Sequence, residues 1–305
     1  MSRDVSARYT QLLQADPASS SAAAIKALTE IVSSSSSTTI MGLRDDLIHA
    51  GQALGQRHDA PISIASLCEL FVRFVTRTAL ETRDFEACRR LIGERGEQFA
   101  LSVREAPRKI AKLGAPFVNE GGAVMTLGYS RIVTALLLEA AATKHFSVIV
   151  AESHPHGDGH RTARELLAAG VPVTMVEDAA VAYVIARCQM TLVGAEAVAE
   201  SGGIINKAGT LQMAIVAHVC KRPFYVASES TKFARMFPLS QLDVPKTEQV
   251  RTHAAFVGQD PPPPQLVVEA PSRDYTPPCY ITMLFTDLGV LTPSAVSDEL
   301  IKLFD

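Results

Sequence analysis

Apolar residues recur at helical spacing over the first third of the chain, while no alternating, strand-like pattern occurs before about residue 121. A break at Asp16-Pro17 divides the first pattern, since aspartate can cap a helix and proline suits its first position. A serine-rich hinge at 33–37 precedes Thr38 and Thr39, either of which can cap the next helix. The pattern predicts helices over 5–32 (divided at the break), from about 40 onward, and over 64–80, 85–103 and 108–118.

The last two thirds change period, because short and nearly continuous apolar runs alternate with helical patterns. Strands are predicted at 123–127, 146–151, 171–176, 190–193, 224–227 and 280–285. Helices are predicted at 131–142, 161–169, 178–187, 211–219 and 295–304, the last covering the core or contacting another subunit. Such alternation indicates an α/β fold with a mostly parallel, Rossmann-like sheet that binds ligands at the carboxyl ends of its strands. We therefore predict a helical domain over 1–120 and a Rossmann-like domain over 121–305.

Composition and charge narrow the class of protein. Of the 305 residues, 47% are hydrophobic, enough for a substantial core, and a net charge of −3 gives no reason to expect nucleic acid or an anionic membrane as partner. The first residues lack the apolar core of a signal peptide, and no apolar run reaches membrane-spanning length. Five scattered cysteines favour reduced core thiols in a cytosolic protein over disulfides or zinc.

One stretch, GAEAVAESGGIINKAGT at residues 194–210, combines the features of an anion site. It follows a predicted strand, crosses Gly202-Gly203 as a turn, and delivers Asn206 and Lys207 just before a helix that begins after Gly209. Amide, ammonium and a helix N-terminus together suit a phosphate. No GxGxxG follows the first strand and no GxSxG is present, so dinucleotide binding and a nucleophile elbow are disfavoured, and we expect no cofactor.

Polar residues follow other strands of the predicted sheet as well. Ser130 and Arg131 follow the first strand, where the serine is either a helix cap or a ligand contact. Lys232 follows the strand at 224–227 and adds a cation to the same edge. Histidines 154, 156 and 160 follow the second strand, but no carboxylate and histidine set accompanies them at helical spacing, so a metal is disfavoured.

Several motifs resemble one known family. Besides residues 194–210, they are TLGYSR at 126–131, FYVASESTKF at 224–233 and YTPPCYITMLFTDLGVLTPSAVS at 275–297, with IMGLR at 40–44 in the helical part. Together they resemble the methylthioribose-1-phosphate isomerases, the ribose-1,5-bisphosphate isomerases and the regulatory subunits of eukaryotic translation initiation factor 2B. The resemblance covers nearly the whole chain. In its length and its C-terminal residues, the chain is most similar to the alpha subunits of that factor.

The resemblance also implies roles for single positions. The isomerases use a cysteine after the first strand and an aspartate after the glycine turn, and these positions are Gly128 and Gly203 here. Glycine can neither donate nor accept a side-chain proton, so the resemblance implies a subunit without catalysis. The implied phosphate or sugar-phosphate contacts remain: Ser130, Arg131, Asn206 and Lys207, with Arg44, Arg73 and Lys232 as further candidates. The alternatives are an isomerase that uses other residues and a scaffold without a ligand.

Partners follow from the resemblance alone. It implies a homodimer through the C-terminal domain, which joins two sets of the beta, gamma, delta and epsilon subunits into a decamer. It implies that the helical domain helps to receive the phosphorylated alpha subunit of initiation factor 2, so that GDP–GTP exchange falls and translation is restrained in the integrated stress response. Exchange itself would reside in the epsilon subunit. A proline-rich segment at 261–264 is predicted to be a surface excursion.

Overall fold

Five helices form the N-terminal part of the computed structural model, which describes residues 2–15, 20–57, 60–81, 84–245 and 271–304. Thr39 caps the third helix by accepting a hydrogen bond from the Gly42 N–H at 3.1 Å, and Asp84 caps the fifth. Leu28, Leu47 and other apolar side chains form one buried core between them. The helices are α1 Ser2–Ala15, α2 Ser20–Ser34, α3 Ile40–Gly55, α4 Ser63–Thr78 and α5 Phe85–Gly114.

Helix α5 differs from the prediction of two helices at 85–103 and 108–118. It is one helix of 30 residues with Pro107 inside it, followed by a 3₁₀ turn at Ala115–Phe117. A proline within a helix removes one hydrogen bond and costs roughly 3 kcal/mol. Packing on both sides of Pro107 offsets that cost, because Ile92 lies in the core of the N-terminal helices and Ile110 in the core beneath the sheet.

A seven-stranded sheet forms the centre of the rest of the chain. Its spatial order is β3-β2-β1-β4-β7-β10-β11, and every neighbouring pair is parallel except β10 with β11. The predicted α/β fold, helical region first and mostly parallel sheet second, is confirmed. The strands are β1 Ala123–Leu127, β2 Ser147–Ala151, β3 Val173–Val176, β4 Met190–Gly194, β7 Phe224–Ala227, β10 Met283–Thr286 and β11 Gly289–Leu291.

The strand order reverses between β1 and β4, because the chain runs outward through β2 and β3 before it returns to β4 on the other side of β1. In open α/β sheets the carboxyl ends of the two strands at such a reversal form a crevice that ligands occupy. The sequence did not predict strand β11, and the predicted strand at 280–285 begins only at Met283, after a 3₁₀ turn at Pro278–Tyr280.

A second, four-stranded sheet was not predicted. Its order is β8-β5-β6-β9, with strands β5 Ala197–Ala199, β6 Ile204–Lys207, β8 Phe233–Ala234 and β9 Arg273–Thr276. The stretch at 194–210, interpreted above as a turn between a strand and a helix, is therefore largely the antiparallel hairpin of β5 and β6. Lys207 is the last residue of β6 and faces Arg273 of β9 in the register.

The remaining helices flank the large sheet. They are α6 Arg131–Ala141, α7 Gly159–Ala168, α8 Val181–Val184, α9 Thr210–Val219 and α10 Ala295–Phe304. The predicted helix at 178–187 is α8 between two 3₁₀ turns. Helix α10 packs against α4 and β8 and buries Val296 and Leu300, whereas Ile301 and Leu303 on the same helix remain exposed.

The five cysteines differ in exposure. Cys68, Cys88 and Cys188 are buried thiols, but the prediction of core thiols is wrong for Cys220 and Cys279, which are exposed because they lie at a helix end and in a turn. Within the described ranges, no helix has both the length and the apolar character needed to cross a bilayer. The same ranges contain no cluster of His, Cys, Asp and Glu suited to a metal. The predicted excursion at 261–264 lies outside the described residues.

Candidate functional site

The candidate site lies where the order of strands reverses. Ser130 follows β1 and caps α6, because its Oγ accepts a hydrogen bond from the Val133 N–H at 3.5 Å. The same side chain lies against Gly194, the last residue of β4. Ser130 is therefore a helix cap, one of the two roles weighed from sequence, and its position is the crevice between β1 and β4.

Two of the cations predicted to contact a phosphate share one buried carboxylate. Arg131 donates to Glu229 Oε1 at 2.9 Å, and Lys232 Nζ lies 3.0 Å from Glu229 Oε2 while donating to the Ala195 carbonyl at 3.0 Å. The Glu229 side chain is only 4% exposed. Burial by itself would raise the pKa of this carboxyl, but Lys232 and Arg131 outweigh burial and hold the pKa below its usual value. We call Arg131, Glu229 and Lys232 the Glu229 cluster.

The loop after β7, which carries Glu229 and Lys232, is held at two adjacent residues. Asp287, just after β10, accepts hydrogen bonds from the Ser230 N–H at 2.7 Å and from its hydroxyl at 2.8 Å. Thr231 donates to the Ser21 hydroxyl of α2 at 3.4 Å. The loop after β7 therefore connects the edge of the sheet to the N-terminal helices.

Lys207 is held by a different carboxylate. Its ammonium forms an ion pair with Asp158, in the loop between β2 and α7, and donates to the Tyr129 carbonyl at 3.3 Å. Tyr129 precedes Ser130, so Lys207 reaches the same crevice from the second sheet. We call this contact the Asp158–Lys207 pair.

Asn206 and the start of α9 are used within the fold. Asn206 is buried, and its side-chain amide donates to the Thr210 hydroxyl at 3.0 Å. Asp274 of β9 caps the helix, since its Oδ2 accepts from the N–H groups of Gly209 at 2.8 Å and Leu211 at 3.0 Å. The helix N-terminus that the sequence suggested for a phosphate thus holds the protein's own carboxylate.

Burial raises the pKa of the Asp274 carboxyl to about 6, against the backbone N–H groups that favour its charged form. Its second oxygen, Oδ1, is buried and accepts no hydrogen bond from the described part of the chain. Oδ2 therefore accepts both capping hydrogen bonds. Burial makes the charged form of the Asp274 carboxyl energetically costly.

Gly128 and Gly203, the glycines that the resemblance places at the acid and base positions, are closely surrounded. Gly128 adopts a left-handed conformation with φ of +58°, and an added Cβ would lie 2.9 Å from Cβ of buried Ser153. At Gly203 an added Cβ would lie 2.5 Å from the hydroxyl oxygen of Tyr275. Tyr275 is buried and its hydroxyl shares a hydrogen bond with Ser201 at 3.0 Å. A side chain at either position therefore needs its neighbours to move.

Arg44 and Arg73 are not brought to this crevice by the contacts described above. They line a groove of about 1160 Å³ between α3 and α4, together with Arg77 and with Arg235 and Leu303 from the rest of the chain. The structure thus brings Ser130, Arg131, Lys207 and Lys232 together and places the two arginines of the helical part on another surface. Their assignment to a phosphate stays a prediction.

Reasoning from sequence missed the carboxylates. Glu229 and Asp158 each follow a strand of the large sheet, so the rule that strand ends converge at one edge could have indicated them. Asp274 had no such signal, because only the pairing of β6 with β9 brings it to the start of α9. The cations alone therefore gave an incomplete description of the site.

Chemically, the arrangement favours binding over proton transfer. Three cations and one hydroxyl surround the crevice, but each of the three cations already contacts a carboxylate of the chain. Positions 128 and 203 provide no acid or base, and neighbouring side chains occupy the surrounding space.

Comparisons with known proteins indicate the family of the chain. The model of the Initiation factor 2 subunit family matches residues 14–293. The chain is 45% identical to "Translation initiation factor eIF2B subunit alpha" of Dictyostelium discoideum over 288 residues, which are 92% of this chain and 90% of the relative. It is 32% identical to a ribose 1,5-bisphosphate isomerase of Archaeoglobus fulgidus over 228 residues, 73% of this chain and 70% of that relative.

A solved structure supports the fold. The chain superposes with a TM-score of 0.80 and 21% identity on a chain of the tetrameric eIF2B-beta2-delta2 complex from C. thermophilum, covering 98% of this chain and 94% of the other. The match of the family model over most of the sequence, together with the 45% identity, shows that the chain belongs to the Initiation factor 2 subunit family.

Proposed function

We propose that this chain is a non-catalytic regulatory subunit, of the alpha type, in the complex of translation initiation factor 2B, which promotes GDP–GTP exchange on initiation factor 2. The 45% identity to a relative of that name supports the assignment. The observation that carries the non-catalytic part is Gly203, where Tyr275 fills the space beside the glycine. An aspartate cannot be accommodated there without moving a buried tyrosine.

The proposal includes specific partners. The chain forms a homodimer through its C-terminal domain and joins the beta, gamma, delta and epsilon subunits into a decamer in the cytosol. Its helical domain helps to receive the phosphorylated alpha subunit of initiation factor 2, which lowers exchange. A neighbour with the same fold occurs in a tetrameric complex of beta and delta subunits, which supports assembly between chains of this architecture.

Affinity purification of the intact tagged chain from its own cells tests the assignment. We expect the other four subunits at constant ratios in the purified material, and the tagged chain in the cytosolic fraction. Repeated recovery of a homodimer without these subunits would contradict it and favour the isomerase branch.

We further propose that the crevice binds a phosphorylated small molecule, a sugar phosphate or a nucleoside monophosphate. Ser130, Arg131, Lys207 and Lys232 around one crevice support this function, as does the isomerase relative. Titration calorimetry with ribose 1,5-bisphosphate and with adenosine monophosphate should show binding that Lys207→Ala weakens about tenfold or more. Lys112→Ala, which removes an exposed lysine on α5, is the control. Unchanged binding in Lys207→Ala would remove this function.

The isomerase alternative has its own test. Purified protein incubated with ribose 1,5-bisphosphate or methylthioribose 1-phosphate should give no aldose–ketose conversion above a blank without enzyme. Turnover that increases with protein concentration would overturn the non-catalytic assignment.

A further inference from the structure

We propose that Asp158 is an internal competitor for the ligand of this site: its carboxylate occupies Lys207 until a phosphate displaces it, so that only an anion held more strongly than a carboxylate, such as a phosphate dianion, binds. The inference rests on the proposed phosphate site and adds to it a residue that determines specificity. It comes from the differences in burial and in cation contacts between the two carboxylates of the site, Glu229 and Asp158.

The two carboxylates differ in burial and in the number of cations that they contact. Glu229 has a side chain only 4% exposed and contacts both Arg131 and Lys232. Asp158 has a side chain 42% exposed, and its ion pair is with Lys207. Removing Glu229 from its cations would leave a buried charge uncompensated, whereas Asp158 can turn into water. Asp158 is therefore the carboxylate that a ligand can replace.

The surrounding loop does not depend on the Asp158 side chain. Asp158 directly precedes α7, yet its side chain makes no capping hydrogen bond to that helix. Asp178 anchors the same loop by accepting from the Ser153 N–H at 2.9 Å and the His154 N–H at 2.6 Å. Thr162 of α7 donates to the Gly128 carbonyl at 2.7 Å. These contacts keep the loop and helix in place when Asp158 leaves Lys207.

Charge explains the selectivity. With Asp158 displaced, Arg131, Lys207 and Lys232 against the single charge of Glu229 leave two positive charges, which match a phosphate monoester at neutral pH. A carboxylate ligand brings one negative charge. It would replace the Asp158 carboxylate with another carboxylate, so the charge interaction with Lys207 would not become stronger. The internal ion pair also lowers the apparent affinity for every anion, because only the fraction of molecules with Lys207 released can bind.

The test is calorimetric titration of the whole chain with ribose 1,5-bisphosphate, inorganic phosphate and acetate. Asp158→Asn keeps the shape and removes the charge, and we expect it to bind both phosphates roughly three- to tenfold more tightly than the wild type. Asp158→Ser, which also removes the reach to Lys207, should show the same gain. Acetate should gain no more than the phosphates, because the same ion pair must open for every anion and a single negative charge gains less when the Asp158 charge is removed.

Glu165→Gln is the matched control, because it removes one carboxylate from α7, the helix that follows Asp158, where Glu165 pairs with Arg161. It should change affinity less than twofold. In the Lys207→Ala background, Asp158→Asn should give no gain, since the competition acts on the lysine. A gain that persists there would assign the effect to net charge and overturn the inference.

Two further outcomes separate this inference from the phosphate site. If Lys207→Ala abolishes wild-type binding but Asp158→Asn binds no more tightly, the site stands and the competitor role is overturned. If neither the wild type nor Asp158→Asn binds any phosphate, while both unfold at the same temperature, the site and the competitor role are both overturned. Purification of the subunit complex still tests the regulatory assignment independently.

Discussion

The Glu229 cluster and the Asp158–Lys207 pair lie at the same edge of the large sheet, yet the carboxylates in them differ in burial. Glu229 is buried between two cations and has its pKa held low, while Asp158 is partly exposed beside one lysine. Burial makes an ion pair costly to break once formed, and exposure makes it cheap to exchange. The cluster is thus part of the framework, and the pair is available to a ligand.

Asp274 is a third carboxylate and lies between these two cases. It is more buried than Asp158, but backbone N–H groups hold it and, among the described residues, no ion pair to it is found. Burial accordingly raises its pKa to about 6, the opposite direction from Glu229. Cations, rather than hydrogen bonds alone, keep a buried carboxylate ionised here.

The largest effect is expected at Glu229. Glu229→Gln leaves Arg131 and Lys232 without their shared counter-charge, and we expect the free energy of unfolding in denaturant to fall by about 3 kcal/mol at pH 7. The loss should shrink in acid, because a carboxyl with a lowered pKa stabilises above its usual pKa and loses that contribution as the folded form protonates. Glu81→Gln, which breaks an exposed pair with Arg95, should cost much less, because water screens that pair. Equal losses of stability in the Glu229→Gln and Glu81→Gln variants would show that burial does not decide the strength of the two ion pairs.

An intermediate effect is expected at Asp274, where the pH dependence has the opposite sign. Its folded pKa of about 6 exceeds the usual value, so the folded state binds a proton first and gains stability as the pH falls. Between pH 7.5 and 5 the wild type should gain roughly 1 kcal/mol relative to Asp274→Asn. Denaturant unfolding at the two pH values measures this difference. A gain toward alkaline pH would show that Asp274 behaves like Glu229.

The smallest effect on stability is expected at Asp158. Because its pair with Lys207 is partly exposed, Asp158→Asn should change the free energy of unfolding by less than about 1 kcal/mol, even though it changes ligand affinity. The same denaturant experiment measures it beside Glu229→Gln. A loss approaching that of Glu229→Gln would place Asp158 in the framework and exclude it as an exchangeable group.

Much of the large sheet could be predicted because its strands carry local signals. The strand at 224–227 was predicted with its observed bounds, since buried parallel strands are nearly continuous apolar runs. The second sheet could not be predicted in this way. Its strands have two to four residues, and β6 pairs with β9 across more than sixty positions of the chain. Such pairing depends on tertiary contacts rather than local pattern.

The candidate site shows the same division. Ser130, Arg131, Lys207 and Lys232 could be nominated because each follows or ends a strand at a convergent edge. The same rule could have indicated Glu229 and Asp158, but it could not indicate which cation each one contacts, since Arg131 and Glu229 are 98 positions apart and Lys207 and Asp158 are 49 apart. Sequence spacing therefore located the cations and left open which of them is available.

Helix α5 has a consequence for how the molecule unfolds. Its 30 residues span about 45 Å, and it supplies Ile92 to the core of the N-terminal helices and Ile110 to a core against the large sheet. Neither core can lose this helix without exposing apolar surface, and the Thr231–Ser21 hydrogen bond joins the two parts a second time. Although secondary structure changes near residue 120, the two parts should melt together, as one cooperative unit with a single calorimetric transition.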